Sequence, residues 1–106
     1  MALKIVTVFM RGRTAPIRSY VYNEDGNLTD PTAITISIID DDGTERVSDA
    51  AMTYVAKGIY DYFYNIPSNA PTGQWLYEVL VTEGSGENAK TFPDNGSFTV
   101  TRSIRE

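Results

Sequence analysis

Apolar and polar residues alternate along most of this chain. Ile34-Thr35-Ile36-Ser37-Ile38 sets three isoleucines against two hydroxyl side chains, the period-two pattern of a strand with one buried face. Tyr60-Asp61-Tyr62-Phe63-Tyr64 repeats the pattern with aromatics. Trp75-Leu76-Tyr77-Glu78-Val79-Leu80-Val81 puts Trp75, Tyr77, Val79 and Val81 on one face, and Phe98 and Val100 alternate with Ser97, Thr99 and Thr101. Leu3 to Met10 is β-branched and aromatic enough to predict a further strand. Ile17 to Tyr22 predicts another, with Ile17 and Val21 on one side. Residues 49–56 alternate at Met52, Tyr54 and Ala56 and read as a short strand rather than a helical turn.

Turn residues punctuate these runs at Arg11-Gly12, Ala15-Pro16, Asp25-Gly26-Asn27, Asp42-Gly43, Lys57-Gly58, Pro67 to Gly73, Gly84-Ser85-Gly86 and Asn95-Gly96. Each offers the positive or fixed φ that a tight connection requires. About seven short antiparallel strands, with turn signals every 8–12 residues or so, predict an all-β sandwich or barrel. No stretch keeps a helical period for a dozen residues, and no internal repeat or low-complexity tract interrupts the pattern. At 106 residues the chain is the size of one domain, spanning 1–106, with Arg102 to Glu106 as a polar tail.

Composition narrows the chemistry. The chain has no Cys and no His, so disulfides, thiolate nucleophiles, imidazole bases and the usual zinc ligands are absent. No nucleophile elbow, phosphate-cradling glycine loop or zinc-protease motif occurs. The densest carboxylates, Asp40-Asp41-Asp42, stand beside Gly43 and are expected on a solvated turn, where a carboxyl keeps its ordinary acidity. No catalytic residue, cofactor site or metal site is expected. Calcium held by these aspartates, with Asp25 or Asn23 from another loop, is the weaker reading, because the alternating-aspartate spacing of a dedicated calcium loop is missing.

Charge is distributed unevenly within a net −5. Residues 1–22 carry Lys4, Arg11, Arg13 and Arg18 and no acid, whereas residues 23–49 carry eight acids against Arg46 alone. An acidic whole argues against nucleic-acid binding, which needs a clustered basic footprint. No run approaches the ~18 apolar residues of a membrane helix. The opening residues, interrupted at Lys4 and Thr7, do not read as a signal peptide, so synthesis in the cytoplasm is expected. Arg11, Arg13 and Arg18 on one side, and Asp40, Asp41 and Asp42 on the other, are the candidate partner-binding residues. Opposite strips of this kind suit head-to-tail contacts between copies.

Three motifs resemble a known pattern. Asp40-Asp41-Asp42-Gly43-Thr44 resembles the D-P-D-G-T turn of bacterial and viral immunoglobulin-like modules, with Asp41 where Pro is common. Gly58-Ile59-Tyr60-Asp61-Tyr62 resembles their G-x-Y-x-Y strand, and Pro71-Thr72-Gly73-Gln74-Trp75 their P-x-G-x-W strand opening. Macroglobulin-type domains and stand-alone proteins of tailed phages carry this pattern, and the match covers about residues 17–82. The resemblance implies an immunoglobulin-like β-sandwich. Trp75, Tyr60, Tyr62 and Tyr77 are expected in its core. It also implies a non-enzymatic role in a virion, as a capsid decoration, head-to-tail connector or baseplate accessory. The partners would be a larger capsid or tail protein and other copies of the chain. The alternative is a carbohydrate- or cell-surface-binding module of a larger secreted protein, using Tyr20, Tyr22 and Tyr54; a cytoplasmic regulator is the third reading.

Overall fold

The isoleucine alternation around residue 36 decides the architecture. In the computed structural model, which describes residues 8–84 and 86–102, Ile34, Ile36 and Ile38 all lie in the core. They sit on β3 (Ala33–Ile39), the strand held between β7 (Gly73–Glu83) and β4 (Glu45–Ala51). The five-stranded sheet is completed by β8 (Lys90–Thr101) and β1 (Val8–Met10), in the order β1-β8-β7-β3-β4. A second sheet of three strands, β2 (Thr14–Tyr20), β6 (Ile59–Asn65) and β5 (Thr53–Ala56), has the order β2-β6-β5.

The two sheets close over one apolar layer. Trp75, Ile36, Ile38 and Val100 are its largest fully buried side chains, joined from the smaller sheet by Ala15, Ile17 and Tyr60. Each large apolar side chain so buried contributes about 1.5–3 kcal/mol. Trp75 is wholly inaccessible. Its indole Nε1–H donates to the carbonyl of Pro71 (3.0 Å), which satisfies its one polar atom. Tyr62, Tyr64 and Tyr77 pack against the layer while remaining partly accessible.

Several expectations are corrected. There are eight strands among the described residues, and one pair is parallel: β1 runs beside β8 with Val8 opposite Thr99 and Met10 opposite Thr101. Leu3 to Thr7 of the expected first strand, and residues 103–106 of the expected tail, lie outside the described residues. Residues 49–56 do not form one strand, because the chain leaves the large sheet after Ala51 and enters the small one at Thr53. Met52 is buried at the crossing, its N–H donating to the carbonyl of Ile34. Ala15-Pro16 is not a turn; Pro16 sits within β2, opposite Phe63. An edge strand admits a residue with no N–H to give.

Asn95-Gly96 is likewise no turn, since both residues pair within the long β7–β8 hairpin, Gly96 opposite Tyr77. The Tyr77 ring lies across that glycine so closely that a β-carbon there would fall 2.2 Å from its Cζ. An aromatic covering a strand glycine on a neighbouring strand restores the packing that the glycine lacks.

Candidate interaction surface

The outer face of the small sheet is built by strand pairing. Thr14, Pro16, Arg18 and Tyr20 of β2 stand opposite Asn65, Phe63, Asp61 and Ile59 of β6, with the inward set Ala15 and Ile17 committed to the core. Phe63 and Pro16 therefore meet side by side facing solvent, and Phe63 is 60% exposed. Polar pairs flank them on both sides. Thr14 Oγ1 donates to Asn65 Oδ1 at 2.7 Å. Arg18 makes a two-pronged bond to Asp61, Nε to Oδ1 at 2.7 Å and Nη2 to Oδ2 at 2.9 Å. That hydrogen bonding holds the Asp61 carboxyl below the usual carboxylate range, against burial that pushes it up. It also raises Arg18. Arg18 is thus a positioned charge with a partner of its own rather than a loose cation.

Arg13 stands exposed just before Thr14, at one end of this face. Arg11 is half-buried, its Nη1–H donating to the carbonyl of Ala70 (3.0 Å). The acidic turn lies at the same end of the sandwich. The Arg11 N–H bonds the carbonyl of Thr101, Val100 pairs with Gly73, and Asp41 covers Gly73. Arg11 and the acidic turn therefore lie near one end of the sandwich, whereas Arg18 stands farther along β2, opposite Asp61.

Asp40 departs from the expected solvated turn. Its side chain is 1% accessible and its oxygens are occupied. Oδ1 accepts from the N–H groups of Asp42 and Thr44, both at 2.9 Å, and Oδ2 from Arg46 Nε at 2.7 Å. Burial alone pushes this carboxyl up, but Arg46 and the two amides together outweigh it and hold it below its ordinary value. Arg46 reaches Asp40 because it is the extra residue of a bulge in β4, between Val47 opposite Ile38 and Glu45 opposite Ile39. Its guanidinium lies 5.7 Å over the Trp75 ring, closing the core at that end. Asp41 and Asp42 remain exposed. Among the described residues no group of three or more acidic side chains is arranged to hold a metal ion.

Sequence reasoning missed the Phe63–Pro16 pair. The signal was present: in an alternating strand that buries Tyr60, the parity of Phe63 points outward, and an outward aromatic on a small sheet marks a contact surface. The suggested aromatic strip divides. Tyr20 and Tyr22 border a groove of about 850 Å³ beside β2. Tyr54 lies on the opposite edge strand β5, its ring edge-on to Tyr60.

No family model and no curated protein sequence matches this chain. Solved structures do. A DUF4785 family protein from Legionella pneumophila superposes on 89% of the chain with a TM-score of 0.68 at 12% identity. The Lin-41 filamin domain covers 94% with a TM-score of 0.64 at 20% identity, and Salmonella alpha-2-macroglobulin, reacted with methylamine, covers 93% with a TM-score of 0.68 at 20% identity. The chain spans 26% of the Legionella protein, 88% of the filamin domain and 6% of the macroglobulin. At such identities the likeness is one of fold. The chain folds as an immunoglobulin-like β-sandwich.

Proposed function

We propose that this domain is a non-enzymatic assembly module that grips a larger protein through the outer face of its small sheet. The carrying observation is the exposed Phe63–Pro16 pair between ordered polar pairs, an apolar centre with a hydrogen-bonded surround. Interfaces of moderate size concentrate their binding energy in such centres, while surrounding charges set encounter rate and salt sensitivity. Arg13, exposed at the end of the face, supplies a charge of the second kind. The setting we propose is a tailed-phage virion, with a capsid or tail protein as partner. It rests on the turn and strand motifs at residues 40–44, 58–64 and 71–75.

Two measurements separate the setting from the surface. Mass spectrometry of purified particles should find the chain as a stoichiometric component; its absence from particles removes the virion setting. Phe63→Glu should leave melting within about 2 °C of wild type, since surface changes typically cost under 0.5 kcal/mol, and should reduce incorporation at least tenfold. Incorporation at the wild-type level by a folded Phe63→Glu protein would refute the surface assignment.

A further inference from the structure

An asparagine that precedes glycine is chemically labile, because glycine has no β-carbon to keep its backbone nitrogen away from the side-chain amide. Asn95 is the one asparagine of this chain in that position; every other precedes a residue with a side chain. Closing the succinimide ring requires the Gly96 peptide plane to turn about the Asn95 Cα–C bond. Strand pairing prevents that turn. Asn95 stands opposite Glu78 and Gly96 opposite Tyr77, within an unbroken run of pairs from Gly73–Val100 to Glu83–Lys90. The Tyr77 ring is a second restraint, since it lies directly over Gly96.

We propose that Asn95 is a self-modification site, kept silent by the β7–β8 pairing and switched on when that hairpin opens. Once β8 leaves β7, the Gly96 backbone nitrogen attacks Asn95 Cγ. The N–Cγ bond forms, the Cγ–Nδ2 bond breaks, and the Gly96 amide proton departs with the side-chain nitrogen as ammonia. Water then opens the succinimide at either carbonyl, leaving aspartate or isoaspartate. Water is the only co-reactant, so the step needs no enzyme.

Neither product suits the hairpin it came from. Aspartate sets a carboxylate directly opposite the exposed Glu78, and like charges facing each other across two strands destabilise the pair. Isoaspartate adds a methylene to the backbone, which draws Gly96 out from under Tyr77 and disturbs the register beyond it. A chain that stays folded keeps its amide. One that lingers unfolded is altered and returns less stable, so opening becomes irreversible with time. The proposal is independent of the Phe63 surface, which lies on the outer face of the small sheet.

Peptide mapping by mass spectrometry tests it on the full chain, held in mildly alkaline buffer at physiological temperature. Deamidation at Asn95 should run at least about tenfold slower than in a synthetic peptide of residues 91–99, because it waits on opening of the hairpin. In urea above the unfolding midpoint the full chain should react at the peptide's rate, and at Asn95 well before Asn27. Asn95→Asp should melt about 2–5 °C below wild type, and adding Glu78→Gln should recover at least about half of that loss. Equal rates in the folded chain and the peptide overturn the silencing by strand pairing. Equal rates at Asn95 and Asn27 in urea overturn the choice of site. An Asn95→Asp protein that melts with wild type shows that the hairpin accepts the product, and overturns the proposal as well.

Discussion

Trp75 carries both a large apolar surface and one polar atom, and the site accommodates both. Trp75→Ala should destabilise the domain by about 3–5 kcal/mol in urea denaturation, through lost burial and the cavity left behind. That is a large share of the 5–15 kcal/mol or so available to a domain of this size. Gly96 makes a sharper case, because its role is imposed by a neighbour. Gly96→Ala must displace the Tyr77 ring and should cost about 1–3 kcal/mol. Combining it with Tyr77→Ala should cost less than the two separate losses added together, the mark of residues in contact. The burial of Trp75 was legible because alternation and size both pointed inward. The role of Gly96 was not, since Asn-Gly is also a strong hairpin signal. What overrides it is an aromatic ring nineteen positions away, which is tertiary information.

At the scale of elements, two carboxylates hold strands and turns together, and both titrate below their usual range. Asp61 binds β6 to β2 through Arg18, and Asp40 ties the β3–β4 turn to Arg46. A carboxyl whose folded pKa is depressed contributes stability above its unfolded value, near 3.9, and that contribution is lost as pH falls through the folded pKa. Melting temperature should therefore hold above about pH 5 and drop as pH is lowered past 4. Asp61→Asn should show a shallower acid decline together with a lower melting temperature at pH 7; an unchanged acid slope would exclude this pair as a source. Calcium at millimolar concentration should leave the melting temperature unchanged, because the amides of Asp42 and Thr44 and the Arg46 guanidinium already use the oxygens of Asp40. A saturable rise would contradict that account. Three successive aspartates look alike in a sequence. Which one is buried depends on a bulge in β4 that turns Arg46 back toward the turn, and periodicity carries no information about bulges.

At the scale of the whole molecule, the strands were largely legible and their neighbours were not. Alternation fixes which side of β3, β6 and β7 faces inward, but sheet order depends on which edges find partners. The crossing at Met52 illustrates this, since continuous alternation through residues 49–56 conceals a change of sheet. The parallel pairing of β1 with β8 has a further consequence, which concerns force. Because the two strands run the same way, tension applied at Val8 and at Thr101 pulls them past each other along their length. Bonds lying across the direction of pull are then loaded together, unlike those of a hairpin opened from its end, which break in succession. A domain pulled through these two strands should resist force better than its thermal stability suggests, since rupture under load follows the unfolding barrier rather than the equilibrium. In single-molecule stretching from these two ends, Phe9→Ala should lower the rupture force, because Phe9 packs on Phe98 across the strands that slide. Val55→Ala, on the edge strand β5 far from the pulling line, should leave the force unchanged.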